Sequence, residues 1–384
     1  MIQLFTLVIV LILFCLLVHI YLLANQNSCK SHYQGKISGH FDGKKFHNYR
    51  RNKTLLNNYA IINCFLGKIF GKVCIWPKEI VVQTTNAKNI VYNSQSDFVF
   101  FINHSTTLIS LSQYNILTDP IWSNHASPLK FIGPKRRAAP GVKFSDLPEI
   151  NLVLISHNHY DHLDYYTVKM LTEKHNPIFL VGLGVGGNLL NMGIKKNRII
   201  ELDWWENHIF SDPELTNKTS LEVTFVPAQH FSSRFLDDKN ATLWGGFVIR
   251  SSNKKIYFAG DTGYDNNLFG TISKKMGDID VSILPIGAYK PDSFRYVHIN
   301  PEEAVKISQI IKSKINIPVH YGTFILSFES YEEPLNDLKQ ALKKNNLALD
   351  RFKILKNGEY IDLDCELEKK HNLVQTKVTK IANY

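Results

Sequence analysis

Residues 156–162 read Ser-His-Asn-His-Tyr-Asp-His, directly after the apolar run Leu152–Ile155. Few local patterns constrain a chain more, because four ligating side chains crowded at the end of a buried strand require a rigid, sheltered edge to hold them. Alternate residues of an extended segment point the same way, so His157 and His159 can present imidazoles to one ion. As the chain turns toward a helix capped by Asp164, Asp161 and His162 can face a second ion beside the first. A single histidine in such a place would be read as a core or loop residue; H-x-H-x-D-H after a strand would not.

Three more residues repeat this placement. His230 ends Val223-Thr-Phe-Val-Pro-Ala-Gln-His, Asp261 ends Ile256-Tyr-Phe-Ala-Gly-Asp, and His320 ends Ile317-Pro-Val-His. Taken singly, His230 and His320 fit core histidines and Asp261 fits a turn former. Together with the histidine motif they fit a site assembled from strand ends, where α/β sheets collect their ligands. Five imidazoles and two carboxylates suffice for two ions if one carboxylate bridges, and Asp261 is the natural bridge. Nitrogen and oxygen donors without thiolate suit two Zn²⁺, with Fe or Mn admitted by the same ligand types. Paired ions about 3.5–4 Å apart generate hydroxide near neutral pH and clamp the oxygens of a phosphoester, so hydrolysis is the expected chemistry. His298 stands just before Asn300-Pro301, where a helix N-terminus favours an anion.

The surrounding texture is that of a layered α/β domain. Short β-branched and aromatic runs lie at 98–102, 108–111, 152–155, 178–181, 221–226, 247–250, 256–259, 281–285 and 317–320 and predict strands. Helix-length patterns lie between several of them, at 165–174, 186–192, 301–312 and 331–344. Asp164 caps the first, and Asn300, Pro301 and Glu303 supply an N-cap, a first-turn proline and a capping-box glutamate for another. The expected division is an anchor over 1–25, a basic juxtamembrane segment over 26–95 with an apolar island at Ile61–Ile75, a hydrolase domain over 96–365, and a loose basic tail over 366–384.

The anchor is expected because Ile2–Leu23 carries no charge, and about 20 helical residues span a hydrocarbon core. No basic residue precedes this run and no A-x-A-like site follows it, which argues against a cleaved signal. Lys30, Lys36, Lys44, Lys45, Arg50, Arg51 and Lys53 follow it, which puts the large domain on the cytoplasmic side. The five cysteines form neither a C-x-x-C pair nor an even disulfide set. A net charge of +10, spread along the chain, suits anionic lipid headgroups; no reader motif for nucleic acid accompanies it, and none is expected as a partner.

The motif and its partners resemble the metallo-β-lactamase superfamily, a four-layer αββα sandwich of metal-dependent hydrolases. Longer stretches carry a finer resemblance: Leu117-Thr-Asp-Pro-Ile-Trp-Ser-Asn-His-Ala-Ser-Pro, Gly133-Pro-Lys-Arg, Leu154 to Tyr165, Ile200-Glu-Leu-Asp-Trp-Trp-Glu, Phe258-Ala-Gly-Asp-Thr-Gly-Tyr, Pro285-Ile-Gly-Ala-Tyr, His298 to Val305 and His320-Tyr-Gly-Thr-Phe. Over roughly residues 95–360 these are similar to the N-acyl phosphatidylethanolamine-hydrolysing phospholipases D. That resemblance implies cleavage on the headgroup side, releasing N-acylethanolamine and phosphatidic acid. It implies one zinc on His157, His159 and His230, a second on Asp161, His162 and His320, and Asp261 shared, with Asp161, Asp261 and His298 in the catalytic group. Tyr160 and His298 fall at substrate-contacting positions of the family. The expected partners are a phospholipid and a membrane, with a homodimer allowed.

Alternatives on the same ligand set are a hydrolase of a soluble sugar-phosphate lactone or other phosphodiester, and a non-catalytic, membrane-tethered metal-binding protein. A lipid enzyme needs an apolar groove beside the metals, for which Tyr165, Trp204, Trp205, Phe231 and Phe235 are candidate lining. Lys135, Arg136 and Arg137 are candidates for headgroup phosphates or for solvent.

Overall fold

The apolar N-terminal run forms helix α1 (Ile2–Ser28), a continuous apolar stretch rich in leucine and free of Gly and Pro, whose end carries Asn25, Asn27 and Ser28, residues that favour caps and turns. The computed structural model describes residues 2–49, 74–211, 220–235 and 237–382, and within α1 the side chains of residues 2–4, 7, 8 and 11 fall outside the description. Among the described residues no helix is long and apolar enough to cross a membrane, so the expected membrane-spanning anchor gains no support from the fold. Its C-terminal end instead joins the domain. Asn27 Nδ2 donates to Pro128 O at 3.1 Å, Tyr21 lies 5.6 Å from the Phe235 ring, and Ser28 and Cys29 are buried.

The domain also begins earlier than the expected boundary at 96. Tyr33 and Phe46 donate backbone hydrogen bonds to Ala241 and Asn240, and Phe41 and Phe46 are fully buried in the main core. The apolar island expected at 61–75 lies almost wholly within residues 50–73, outside the described residues. Helix α2 (Ala87–Tyr92), capped by Asn86, leads into the sheets.

Strands β1 (Phe98–Asn103), β2 (Thr106–Leu111), β3 (Tyr114–Thr118), β4 (Leu152–Ile155), β5 (Ile178–Gly182) and β6 (Ile199–Leu202) run consecutively across the first sheet. The first three form an antiparallel meander and the rest add in parallel, with α3 (Tyr165–Lys174) and α4 (Val185–Asn191) as crossovers. The second sheet has the order β12-β11-β10-β9-β8-β7, built from β7 (Asn207–Phe210), β8 (Leu221–Pro227), β9 (Gly245–Arg250), β10 (Lys255–Phe258), β11 (Val281–Pro285) and β12 (Ile315–Val319). Helices α5 (Asn266–Met276), α6 (Pro301–Ile310) and α7 (Glu333–Lys344) cover it, and β13 (Tyr360–Asp362) returns to pair with β1. The closing basic stretch is helical, α8 (Leu363–Ala382), rather than a loose tail.

The layers follow from period-two burial. Val99, Phe101, Leu154 and Leu180 of the first sheet meet Val223, Phe225, Phe247 and Phe258 of the second. Their neighbours Phe100, Val153, Ile155 and Phe179 point outward to Val168, Leu171 and Leu189 of the first helical layer. Val248, Tyr257 and Leu284 point to Leu268, Phe269, Val305 and Leu338 of the other. This is an αββα sandwich. Each fully buried large apolar side chain stabilises it by about 1.5–3 kcal/mol relative to exposure. The C-terminal ends of β1, β3 and β4 and those of β8, β10 and β12 open on one edge, where Gly245 N donates to Ser156 O and ties the sheets together.

Candidate metal centre

Everything singled out after a strand end meets on that edge. Nε2 of His157 lies 2.8 Å from Nδ1 of His159, which lies 3.3 Å from Nε2 of His230. A second group gathers beside it. Oδ2 of Asp161 lies 3.2 Å from Nε2 of His162 and 3.5 Å from Nε2 of His320. Asp261 stands between the groups: its Oδ2 is 3.2 Å from His162, 3.1 Å from His320, 3.9 Å from His230 and 4.0 Å from His157.

Local chemistry fixes these side chains. Nδ1 of His230 faces the carbonyl of Val297 at 2.8 Å, which can only accept, so Nδ1 carries the proton and Nε2 presents a lone pair. Asp119, at the end of β3, likewise holds a proton on Nδ1 of His162, 2.7 Å from its Oδ2, so Nε2 is the nitrogen that would give up its proton to ligate. Ser156 Oγ donates to Asp119 at 2.6 Å and receives Nδ1 of His157 at 2.9 Å. Asp261 follows Gly260, which has φ +60, and a Cβ there would lie 2.5 Å from that of Ser156, so only glycine allows the carboxylate this close approach. Three non-glycine residues of the edge, His104, Asp119 and His320, also have positive φ, of 48°, 35° and 62°. Such backbone costs on the order of 1–3 kcal/mol each and persists where surrounding structure enforces it.

The electrostatics are those of a site made for cations. Nε2 of His162, both ring nitrogens of His320 and Oδ1 of Asp261 are buried and satisfy no hydrogen bond. Such groups cost too much to leave unmatched, and four overlapping groups of nitrogen and carboxylate donors within ligand reach, among them His104 with Asp161, His162 and His320 and, beside it, His157 with His159 and His230, are their natural explanation. Burial pushes His157 and His230 well below the usual range and His159 down to about 4, so the first cluster is neutral and free to ligate. For His162 and His320 burial opposes the charged form, but Asp261 and Asp161 outweigh it, holding His162 well above its usual value and His320 at about 9. The arrangement supports a divalent metal cofactor.

His298 is drawn in rather than left in a solvent loop. Its Nδ1 is buried, has no hydrogen bond, and lies 3.6 Å from Asp261 Oδ2, directly ahead of the α6 capping box. Tyr160 sits at the rim, but its hydroxyl donates to Arg234 O at 2.5 Å. Phe231 packs 4.5 Å from the His159 ring, whereas Trp204 is a core residue whose Nε1 bonds Trp244 O. Arg136 is also structural, donating to Asn103, Ile121 and Ser123, while Lys135 and Arg137 are exposed.

Sequence reasoning passed over three residues that complete the edge. Asp119 was visible in the same way as Asp261, as a carboxylate ending an apolar run. His104, whose Nε2 lies 2.9 Å from Asp161 Oδ2, sits in the two-residue turn between β1 and β2. Asn48, which receives the His230 amide at 2.9 Å, is remote in sequence and carried no signal.

Residues 114–321 match the family model of the beta-lactamase superfamily domain. The chain is 35% identical over 297 residues to N-acyl-phosphatidylethanolamine-hydrolyzing phospholipase D 1 of Caenorhabditis elegans, covering 75% of this chain and 80% of that protein. It is 41% identical over 257 residues to the uncharacterized protein Rv0906 of Mycobacterium tuberculosis, and spans 65% of that relative's length. Among solved structures it is similar in fold to Igni18, a metallo hydrolase from Ignicoccus hospitalis, with a TM-score of 0.52 at 19% identity, over 70% of this chain and 98% of that one.

Proposed function

The chain belongs to the metallo-β-lactamase superfamily, and from that premise we propose that it is a two-zinc phospholipase D that hydrolyses N-acyl phosphatidylethanolamine to N-acylethanolamine and phosphatidic acid. The observation that carries this reading is Asp261, whose Oδ2 lies within 4.0 Å of ring nitrogens from both histidine clusters. The worm phospholipase D, similar over most of its length, supports the choice of substrate.

In this reading His157, His159 and His230 hold one zinc, Asp161, His162 and His320 the other, and Asp261 is shared. When bound, such a pair lowers the pKa of water toward neutrality and offsets charge on a phosphodiester in its transition state. The chain's own residues do the positioning. Asp119 and Val297 O fix the ring tautomers of His162 and His230, keeping their Nε2 lone pairs aimed inward. Nδ1 of His298 points beside Asp261 and gives a hydrogen bond to a phosphate oxygen, next to the helix N-terminus of α6. Phe231, against His159 and His230, offers an apolar wall beside the reacting headgroup.

Helix α1, with Phe14 and Leu17 more than half exposed, keeps the domain at a membrane, on its cytoplasmic side. Carbonate-washed membranes from expressing cells, probed with and without α1, test this: recovery of both forms in the soluble fraction removes the idea.

The deciding assay is release of N-acylethanolamine from N-acyl phosphatidylethanolamine in detergent micelles, with Asp261→Asn as control. Release by the native chain alone supports the reading. No release from protein that carries two metals discards this substrate and turns the search to soluble phosphodiesters and lactones.

A further inference from the structure

The loop 127–133 is closed at its base by Ala126 N donating to Pro134 O, and Gly133, at φ +108, supplies the turn. Leu129 is buried and anchors the loop. Phe131 and Ile132 next to it are turned outward, 62% and 48% exposed. Scattered apolar side chains on a surface are ordinary, but a contiguous apolar patch is not. This loop is tied to one: Pro128, three residues before Phe131, accepts a hydrogen bond from Asn27 at the end of α1, whose outer face is apolar and exposed.

Cations flank the tip in sequence and in the neighbouring helix. Lys130 Nζ lies 4.3 Å from the Tyr166 ring centroid and Lys169 Nζ lies 5.4 Å from that of Tyr165, while Lys135 and Arg137, just after the loop, are exposed. Among the described residues no ion pair is formed by Lys130, Lys135, Arg137 or Lys169, so their charge is available to an anionic surface. An exposed apolar tip accompanied by cations that form no ion pair is complementary to a bilayer whose headgroups are negative and whose interior is apolar.

The same face adjoins the histidine motif. Tyr165 and Tyr166 begin α3 directly after the histidine motif. Arg234 donates from its guanidinium to Ser28 O, Asn158 O and Leu163 O, tying the end of α1 to that motif. We propose that this face docks on an anionic lipid bilayer, with Phe131 and Ile132 entering the acyl region and Lys130, Lys135, Arg137 and Lys169 meeting headgroup phosphates. The metal edge is thereby turned toward the membrane, so a phospholipid reaches it without leaving the interface. The proposal rests on the lipid reading above and makes it specific.

The test replaces Phe131 by Trp in the full chain and follows its fluorescence on vesicles of phosphatidylserine and brominated phosphatidylcholine that contain no N-acyl phosphatidylethanolamine. Leu349→Trp is the control. That residue is exposed and lies near Phe352, which bridges to Asn316 at the opposite end of the sandwich from the metals. A blue shift and bromine quenching at position 131, absent at 349 and weakened by salt, are expected. Absence of quenching at 131 overturns the proposal, whether or not the chain binds vesicles through α1. Quenching at 131 in a protein that fails to cleave N-acyl phosphatidylethanolamine overturns the substrate reading alone. Cleavage in micelles without quenching overturns the docking alone.

Discussion

Oδ2 of Asp119 lies 2.7 Å from Nδ1 of His162 and, through Ser156 Oγ at 2.6 Å, also governs Nδ1 of His157. One buried carboxylate thus orients a ring in each histidine cluster. Asp119→Asn keeps the volume but replaces one acceptor oxygen by a donor, and it frees both rings to turn. Because groups that orient metal ligands are typically worth 10–100-fold in affinity, a loss of about that size is expected for both ions. Chelator competition followed by metal analysis measures it, and loss of a single ion would show that Ser156 does not transmit the effect to His157.

His104 acts on one cluster only. Its Nε2 meets Asp161 Oδ2 at 2.9 Å, its ring lies 4.2 Å from that of His320, and its carbonyl receives the His320 amide at 2.8 Å. His104→Phe retains a ring of similar shape and removes the hydrogen bond to Asp161. The expected result is weaker binding at the Asp161, His162 and His320 group, with the His157, His159 and His230 group unchanged. Metal content falling from both groups equally would mean that His104 supports the whole edge instead.

The contrast between these two residues shows what the sequence displayed and what it concealed. The motif of His157, His159, Asp161 and His162 follows one apolar run, and His230, Asp261 and His320 each end another, so their convergence follows once the runs are taken as strands of one layered domain. The capping box of Asn300 and Glu303 was equally legible, since it is local. Asp119 obeys the same rule yet sits in an Asp-Pro step that reads first as a turn. His104 and Asn48 could not be placed, because what brings them in is sheet pairing and packing of a distant segment. The early core residues Phe41 and Phe46 were hidden for the same reason, within a stretch whose charge suggested a basic juxtamembrane segment.

Metal binding will release protons. Ligating imidazoles must be neutral. Burial disfavours the charged form of His320, but Asp261 and Asp161 push it up to about 9, and His162 is raised well above the usual range by the same carboxylates and Asp119. Near pH 7.5 both therefore carry protons in the metal-free chain, while His159, lowered to about 4 by burial, does not. Affinity must then rise with pH through the neutral range. Calorimetric titration of zinc in buffers of different ionisation enthalpy reads the number directly: release of one to two protons is expected, and no buffer dependence would contradict the assignment.

Tyr160 gives the sharpest separation of a structural role from a substrate role. Its hydroxyl donates to Arg234 O at 2.5 Å, and its ring lies 4.2 Å beneath the Arg234 guanidinium. Because the hydroxyl proton is already committed to the protein, Tyr160→Phe should cost about 0.5–1.5 kcal/mol of stability. Metal content and KM should stay unchanged. Arg234→Met should be far more damaging, since it strands the carbonyls of Ser28, Asn158 and Leu163, each a loss of about 1–3 kcal/mol if left unpaired. Thermal denaturation and steady-state kinetics on the two variants decide the matter. A KM raised tenfold in Tyr160→Phe at unchanged stability would return the hydroxyl to the substrate, and with it the family position at the rim of the site.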